Sequence, residues 1–410
     1  MPASFSNAEA ERAPALAHGP IALLGIVTIA VYGTWYYAFG VLLDPIIADT
    51  GWSETMLAGA FSVGIFGIGA GSLFGGRLLD RLDTRRVFAI AALVGGGALA
   101  MASYASNVWV FVGLSALGMA ALGALGFYHV TMTAVVRLHP EESARAIAAL
   151  TIWGALASPL YLPLTAWLVE GQGWRVTVRL LVGSAVVALC VAAVLVPIPT
   201  RQGSAAAPIS IAEVARSAIA TPASRSFTLA VALIGVSISV ILAYQVPVML
   251  AAGLPLTTAA TMAGVRGFSQ LGGRIPLGFL VARIGPRQSL LVALSLIAIG
   301  TVVLAFSGRV IVALAFAVLA GLGIGAYSPL QGMYSAELFD REALGSSMGM
   351  YTSVSMLAGS IGPVLAGGIA QLTGDRRWVA GLASMCAVAA VVVLARGSRV
   401  ARIQGHREVH

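Results

Sequence analysis

Lysine is absent from this chain of 410 residues, and charged residues of any kind make up only 10% of it. All 24 basic residues are therefore arginine, and they outnumber the 16 acidic residues to give a net charge of +8. Hydrophobic residues make up 59% of the sequence and the mean hydropathy is +0.92, which excludes an ordinary soluble globular protein. Only Cys190 and Cys386 represent cysteine, and both fall in apolar stretches, so no disulfide framework is expected.

Motifs of several functional classes are missing as well. The sequence has no metal-ligand cluster, nucleophile–base pair or phosphate-binding loop, which argues against an enzyme and against a bound metal or cofactor. No basic patch is interleaved with exposed aromatic residues, so the positive charge does not indicate nucleic-acid binding. The first 19 residues carry Glu9, Glu11 and a single Arg12, and they are not expected to form a signal peptide.

The chain is instead built from apolar runs of about 20 residues, each long enough to cross the ~30 Å hydrocarbon core of a bilayer. The runs do not alternate polar and apolar residues, so they indicate α-helices rather than the strands of a β-barrel. Twelve runs are predicted, at about 20–43, 54–79, 87–105, 108–134, 144–168, 174–196, 226–250, 257–282, 288–307, 310–334, 345–371 and 377–396. The predicted fold class is an all-α membrane protein with twelve transmembrane helices, called spans 1 to 12 below.

A polar break divides the spans six and six. We expect a tail at 1–19, a six-helix bundle at 20–196, a linker at 197–225, a second six-helix bundle at 226–396 and a tail at 397–410. Inside the linker, Ser210 and Glu213 form a capping-box pattern before an apolar-spaced stretch that ends near Ile219. This stretch is either a short amphipathic helix on the membrane surface or part of a linker without a docking site.

Short motifs recur in the two halves at a spacing of about 200 residues. The pairs are Gly76–Arg81 with Gly278–Arg283, Gly123–Tyr128 with Leu322–Tyr327, and Ser158-Pro159 with Gly362-Pro363. Three matches in the same order indicate an internal duplication. Transporters built from parallel repeats bind their substrate near the bilayer midplane, between the repeats.

The arginines are distributed unequally between the two sides of the membrane. With twelve spans, the side that holds both chain ends also holds most of the arginines outside the spans, and the other side holds only Arg175, Arg309, Arg376 and Arg377. Because basic residues accumulate on the cytoplasmic side, both termini are predicted to be cytoplasmic, in the cytoplasmic (inner) membrane.

The segment from Gly76 to Arg86 resembles the loop signature between spans 2 and 3 of the major facilitator superfamily. Asp83 stands where that signature has glycine, and the second copy has Ala282 in place of the acidic residue. The resemblance extends over the whole chain. It implies the major facilitator fold, two pseudo-symmetric six-helix bundles that move a substrate by alternating access.

Three further segments are similar to one branch of that superfamily, the monocarboxylate transporters and oxalate/formate antiporters. These are the aromatic part of span 1, Tyr32 to Tyr37, the segment Asp49 to Ser53, and Arg274 to Gly278 in span 8. The resemblance implies that Arg274 binds the carboxylate of the substrate. Gln270 replaces an aspartate that animal members often carry one turn earlier, and the lysines of the family are absent.

The charged residues of span 8 also indicate Arg274 as an anion-binding residue, independently of the resemblance. Arg266, Gln270 and Arg274 lie at i, i+4 and i+8 and therefore on one face of a helix predicted from about Thr257 to Ala282. A guanidinium at the bilayer centre costs roughly 2.5–3.5 kcal/mol and does not lose its proton, so it needs water, a partner or an anion. We expect Arg274 to bind a substrate anion, the alternative being an arginine bonded to carbonyls and water. For Arg266, a second anion contact and snorkelling to the headgroups are equally open.

Tyrosines supply the other predicted substrate contacts. Tyr128 in span 4 and Tyr327 in span 10 occupy equivalent places in the two halves, and their hydroxyls could flank a central site. Tyr32 and Tyr36 lie on one stripe of span 1, and Tyr244 lies on an apolar stripe of span 7. Core packing explains each stripe almost as well.

Two residues are candidates for proton coupling. His129 is the only histidine inside a span, and it either carries a proton or is a neutral residue hydrogen-bonded between helices. Asp44, at the outer end of span 1, is either a titrating group or an exposed loop carboxylate.

A gate on the cytoplasmic side could form from charged residues in the loops, where the arginines would pair with acids and would also hold the loops in the cytoplasm. The candidates are Asp80, Arg81, Arg85, Arg86, Glu141 and Arg145.

These features predict a secondary active transporter of a small carboxylate, a monocarboxylate-type organic anion, coupled to protons or to a counter-anion. The alternative is efflux of hydrophobic or drug-like compounds by the same fold. The absence of acids deep in the spans argues against cationic drugs, and the lack of an attached sensor domain argues against a receptor. The expected partners are the anion, its coupling ion and the lipid bilayer, with no cofactor, and a monomer suffices.

Overall fold

The computed structural model of the protein describes residues 18–196, 216, 219–338 and 344–407, without the side chains of residues 18, 73–81, 144, 344–349 and 398–407. The described residues form helices and no strand. In chain order they are His18–Val31, the π-helix Tyr32–Tyr37, Phe39–Thr50, Glu54–Arg81, Thr84–Ile90, the π-helix Ala91–Gly96, Gly97–Ala102, Val108–Gly126, Tyr128–Leu138, Ser143–Ala155, Ala157–Leu195, Pro222–Ala251, Leu256–Arg274, Leu277–Leu304, Val310–Leu338, Leu344–Gly359, Ile361–Thr373 and Arg377–Arg407.

Ten helical stretches among the described residues are long and apolar enough to cross a membrane. One of them, 145–195, contains both span 5 and span 6. Gly173 separates these two spans, because its φ of 73°, which a residue with a side chain rarely adopts, interrupts the helix. Gly285, with a φ of 80°, separates spans 8 and 9 in the same way. With Leu256–Arg274, whose two arginines make it less apolar, the described chain makes the twelve passes that the sequence predicts.

Large apolar side chains cover the outside of the molecule. Leu93, Trp109, Phe306 and Leu372 are all more than two-thirds exposed. A soluble protein would bury side chains of this size, so this surface is suited to lipid. The multi-pass membrane architecture is therefore visible in both the length of the helices and the surface they present.

Several element boundaries differ from the prediction for local reasons. Span 7 begins at Pro222, before the predicted 226, because the Thr221 and Ser224 side chains form a capping box at its N-terminus. The predicted surface helix near Ser210–Ile219 lies largely outside the described residues.

Span 8 is not the single helix that the sequence predicts. Its first helix ends at Arg274, and the next begins at Leu277. Pro276 has no backbone N–H and cannot continue the ladder, so the helix is interrupted beside the arginine. Arg274 therefore lies at a helix end and not in mid-helix.

Candidate functional site

A π-helical segment in span 1 brings three tyrosines together. An α-helix would place Tyr32 and Tyr36 on one face and turn Tyr37 away, but the wider turn of Tyr32–Tyr37 adds Tyr37 to that face. The ring of Tyr32 lies 5.6 Å from that of Tyr36 and 5.9 Å from that of Tyr37. Tyr37 is a site residue that the 3.6-residue period of the sequence could not indicate.

A break in span 4 completes the aromatic cluster, which consists of Tyr32, Tyr36, Tyr37, Phe127 and Tyr128. Phe127 is extended between the helices Val108–Gly126 and Tyr128–Leu138. Its ring stacks on Tyr32 at 3.6 Å, and Tyr128 lies 5.4 Å from Tyr32.

The same break explains His129. An interrupted helix leaves backbone carbonyls without their usual partners. His129 Nε2 lies 2.8 Å from the carbonyl oxygen of Ala124, and since a carbonyl only accepts, Nε2 carries the proton in this contact. The hydrogen-bond partner of His129 is therefore in the same span. The sequence-based interpretation of His129 as a neutral residue expects a partner on another helix.

Arg266 lies beside this cluster and is 3% exposed. Its Nε donates to Gln245 Oε1 on span 7 at 2.7 Å, and it lies close enough to Tyr36 and Tyr37 to interact electrostatically with both. It makes no ion pair within the described part of the chain. A side chain buried in this way does not snorkel to the headgroups.

Arg274 is half-buried next to Tyr37 and Tyr128. Its Nε is buried and has no hydrogen-bond partner, and no carboxylate of the described residues lies within ion-pair distance. Gln270, between the two arginines in sequence, also has no hydrogen bond from its side chain to a described residue. The predicted face of span 8 thus carries two guanidinium groups and no described acid.

Glycines allow the neighbouring helices to pack closely against the backbone of span 8. On span 10, a Cβ at Gly321 would lie 2.4 Å from the carbonyl oxygen of Arg266, and one at Gly325 would lie 2.1 Å from that of Gln270. On the opposite side, a Cβ at Gly267 would lie 1.6 Å from the hydroxyl of Ser158 in span 5. Such close backbone approach requires glycine at these positions.

Tyr327 does not join the aromatic cluster through any ring contact of the described residues. It is buried in span 10, and its hydroxyl lies near Ser355 without a hydrogen-bond partner. The sequence symmetry of Tyr128 and Tyr327 is therefore not matched by an equivalent environment.

A second charged site joins the two halves on the side opposite the chain ends. Arg376, between spans 11 and 12, binds both oxygens of Glu54 through Nε at 3.1 and 3.3 Å, and its Nη2 lies 3.0 Å from Glu54 Oε2. The same Nη2 lies 2.6 Å from Asp44 Oδ1. We call these three residues the outer latch. Asp44 belongs to the helix Phe39–Thr50, so its interpretation as an exposed loop carboxylate is wrong.

Neutral contacts between the halves surround the outer latch. The hydroxyls of Ser53 and Thr55 donate to Gln371 Oε1 at 3.0 and 2.7 Å. Tyr244, expected in the substrate site, is buried beside Glu54 with a hydroxyl that has no hydrogen-bond partner. Its neighbour in sequence, Gln245, holds Arg266, so span 7 contacts both the latch and the arginine site.

Hydrogen bonds shift the pKa values of Arg376 and Asp49, two groups at the membrane surface on this side. Burial alone would lower the pKa of Arg376, but hydrogen bonds to Asp44 and Glu54 raise the pKa above its usual value. Hydrogen bonds from Trp174 and Arg175 hold the pKa of Asp49 below its usual value. These contacts favour the ionised forms of Arg376 and Asp49.

On the side of the chain ends, the side chains of Asp80 and Arg81 lie outside the described residues. Arg85, Arg86 and Glu141 are exposed, and no described contact pairs these two arginines with an acid. Arg145 pairs with Glu142 of its own helix at 3.3 Å and is 74% exposed. The cytoplasmic gate therefore stays a prediction.

Comparison with known proteins agrees with this architecture. The sequence matches the family model of the Major Facilitator Superfamily over residues 24–308 and 226–405. The chain belongs to this superfamily.

Solved structures of other transporters are similar over nearly the whole chain. The nucleoside transporter NupG has a TM-score of 0.73 at 13% identity, covering 93% of this chain and 98% of that chain. A D-xylose–proton symporter has a TM-score of 0.68 at 16% identity, covering 90% and 96%. A POT family transporter in complex with 5-aminolevulinic acid has a TM-score of 0.70 at 13% identity, covering 93% and 96%. No curated protein matches the chain.

At these identities the likeness shows the fold alone. By family and fold the protein is a multi-pass secondary transporter of the major facilitator type, and it is expected to bind a small molecule. The monocarboxylate branch is not identified by these comparisons.

Four residues of the two sites escaped the sequence analysis: Tyr37, Gln245, Glu54 and Arg376. Tyr37 stands in the aromatic run of span 1, which was its only signal. Gln245 is a polar amide side chain within the apolar span 7, and this polarity could have identified it as a candidate site residue. Glu54 and Arg376 are 322 residues apart and look like ordinary loop charges.

Proposed function

We propose that the protein transports a small organic carboxylate across the cytoplasmic membrane, with both termini in the cytoplasm. The observation that supports this most is Arg274, a permanent cation beside the aromatic cluster with an unpartnered Nε and no acid in contact among the described residues. A buried charge without a counter-ion is costly, and a carboxylate ligand would satisfy it with two parallel hydrogen bonds.

The surroundings of Arg274 suit an organic anion better than an inorganic one. The aromatic cluster offers ring faces for an apolar body, and Tyr37 and Tyr128 lie close enough to Arg274 to interact with it electrostatically, so their hydroxyls are the proposed additional donors to the carboxylate. Tyr32 and Tyr36 are further proposed contacts from the aromatic cluster, and the side-chain amide of Gln270 can donate a hydrogen bond to the substrate. Tyr327 is proposed as a contact only in another conformation of the transport cycle, since here it lies by Ser355.

The test is uptake of radiolabelled carboxylates into proteoliposomes by the full chain and by Arg274→Gln. Losing a charge-assisted hydrogen bond weakens binding by about tenfold to a hundredfold. Arg179→Gln is the matched control, because that arginine also lies in a span but stacks over Tyr104 at 4.7 Å. Undiminished carboxylate uptake by a folded Arg274→Gln protein would exclude the proposal.

Coupling is proposed to involve protons or an exchanged anion. His129 can take up a proton at Nδ1 while Nε2 keeps its hydrogen bond to the carbonyl oxygen of Ala124, and Asp44, which pairs with Arg376, is the second candidate for proton coupling. The dependence of uptake on an imposed pH gradient, compared between Asp44→Asn and His129→Gln, separates the two. If both variants keep the dependence of the wild type, neither residue carries the proton.

A further inference from the structure

We propose that Arg266 and Gln245 form a second anion subsite, and that the substrate carries two anionic groups, one bound at this subsite and one at Arg274. This inference rests on the proposed function, because it takes Arg274 as the first carboxylate contact. The inferred substrate is then an α,ω-dicarboxylate longer than two carbons and not a monocarboxylate.

Unused hydrogen-bond donors define the second subsite. Gln245 is 1% exposed, and its Nε2 amide has no hydrogen-bond partner although its Oε1 accepts from Arg266. Arg266 uses only Nε in that bond, and its terminal nitrogens bond no described residue. Buried donors of this kind are normally satisfied, so the amide and the terminal nitrogens together provide the donors that a second carboxylate requires.

The two subsites are arranged for one extended ligand. Arg266 and Arg274 are two helical turns apart, about 12 Å along the axis of an ideal helix. Tyr37 lies close enough to interact electrostatically with both guanidinium groups, so it is near both ends of such a ligand. A ligand running past Tyr37 can reach both ends, whereas a two-carbon dianion is too short unless both side chains fold inward.

Charge balance favours a divalent ligand. The guanidinium groups of the buried Arg266 and the half-buried Arg274 carry like charges and repel each other, and the described residues around them provide tyrosines and glutamines but no carboxylate. A monocarboxylate neutralises only one of the two. A dicarboxylate neutralises both and relieves their repulsion at the same time.

The experiment measures inhibition and uptake in proteoliposomes for a series of dicarboxylates from oxalate to adipate, each beside the monocarboxylate of equal length. For the wild type we expect the best inhibition at four to six carbons, at least tenfold better than the matched monocarboxylate. Arg266→Gln should reduce that ratio by about tenfold to a hundredfold. Arg179→Gln should leave the ratio unchanged.

Gln245→Glu provides a variant of nearly equal size. It places a carboxylate against Arg266 and so occupies the subsite with an internal counter-ion. We expect the ratio of dicarboxylate to monocarboxylate inhibition to fall as in Arg266→Gln. The thermal stability should equal or exceed that of the wild type. If Arg266→Gln fails to insert into the membrane, Gln245→Glu alone tests the second subsite.

The outcomes separate the two proposals. Equal inhibition by mono- and dicarboxylates, an unchanged ratio in the folded variants, or a preference for oxalate over every longer acid would overturn the second subsite while leaving carboxylate transport intact. No inhibition by any carboxylate would overturn the proposed function itself.

Discussion

Replacing Arg376 by glutamine removes the cation of the outer latch and leaves Asp44 and Glu54 facing each other without it. The latch exists only when the outer ends of the two halves are together, since Arg376 is contributed by one half and both carboxylates by the other. The substitution should therefore destabilise the outer-closed state relative to a state in which this side is open.

The size of the effect follows from the burial of the latch. The side chains of Arg376, Asp44 and Glu54 are 19%, 31% and 15% exposed, so the latch is neither a surface pair worth under about 1 kcal/mol nor a fully buried one. Arg376 makes three contacts to the two oxygens of Glu54 and one to Asp44, and we estimate about 2–3 kcal/mol for their loss. About 2 kcal/mol corresponds to a ~30-fold change in the ratio of the two states.

Distances between spin labels on the outer ends measure this ratio directly. Labels at Gln172 and Arg309 report on the two halves, after Cys190 and Cys386 are replaced by serine. We expect the long-distance population to rise at least tenfold in Arg376→Gln, and to rise in Glu54→Gln as well. The measurement belongs at an ionic strength near 0.15 M, because salt screens the exposed part of the latch.

The neighbouring arginine provides the matched control. Arg377 is 60% exposed and, among the described residues, forms its ion pair with the neighbouring Asp375 at 2.8 Å, so Arg377→Gln removes an equal charge without removing the contact between the halves. A distance distribution that is the same in Arg376→Gln, Arg377→Gln and the wild type would refute the latch as a conformational element.

Three further predictions concern packing, pH and coupling. Gly325→Ala should destabilise the protein by about 1–3 kcal/mol, because its Cβ would meet the backbone of span 8 at 2.1 Å, whereas Gly368→Ala meets nothing within 4 Å. Equal unfolding temperatures for the two variants would contradict the packing argument. Asp49 has a lowered pKa in the folded protein, so its contribution to stability is present above its ordinary pKa of about 3.8 and is lost as the pH falls through the folded value. Asp49→Asn should therefore lower the unfolding temperature at pH 7 but not near pH 2, and a deficit that persists at pH 2 would disprove this origin. His129→Gln should remain folded, because its amide can replace the ring N–H, and should lose proton-driven accumulation in vesicles; unchanged accumulation would remove His129 from the coupling mechanism.

Much of the fold could be predicted from the sequence because membrane insertion is a local property. The length and apolarity of each run decide whether it spans, and the twelve predicted runs correspond to the twelve observed passes. The shared face of Arg266, Gln270 and Arg274 also follows from local spacing, since it depends only on helical geometry up to the break at Pro276.

The contents of the two sites depend on contacts that no local pattern records. The π-turn that adds Tyr37, the bond of Gln245 to Arg266 and the glycines that seat span 8 on span 10 all arise from the packing of helices. Asp44 looks the same in sequence whether it is exposed or bound, and only the position of Arg376 distinguishes the two.

The sequence by itself thus determined that the chain crosses a membrane, how often it does so, and that the two arginines of span 8 lie on one helix face. The tertiary structure alone decided which groups surround those arginines, which acid is held by Arg376, and where the helices are interrupted. The physical reason is that transfer of a run into lipid depends on its own residues, whereas the environment of a charge depends on helices that are hundreds of residues apart in the chain.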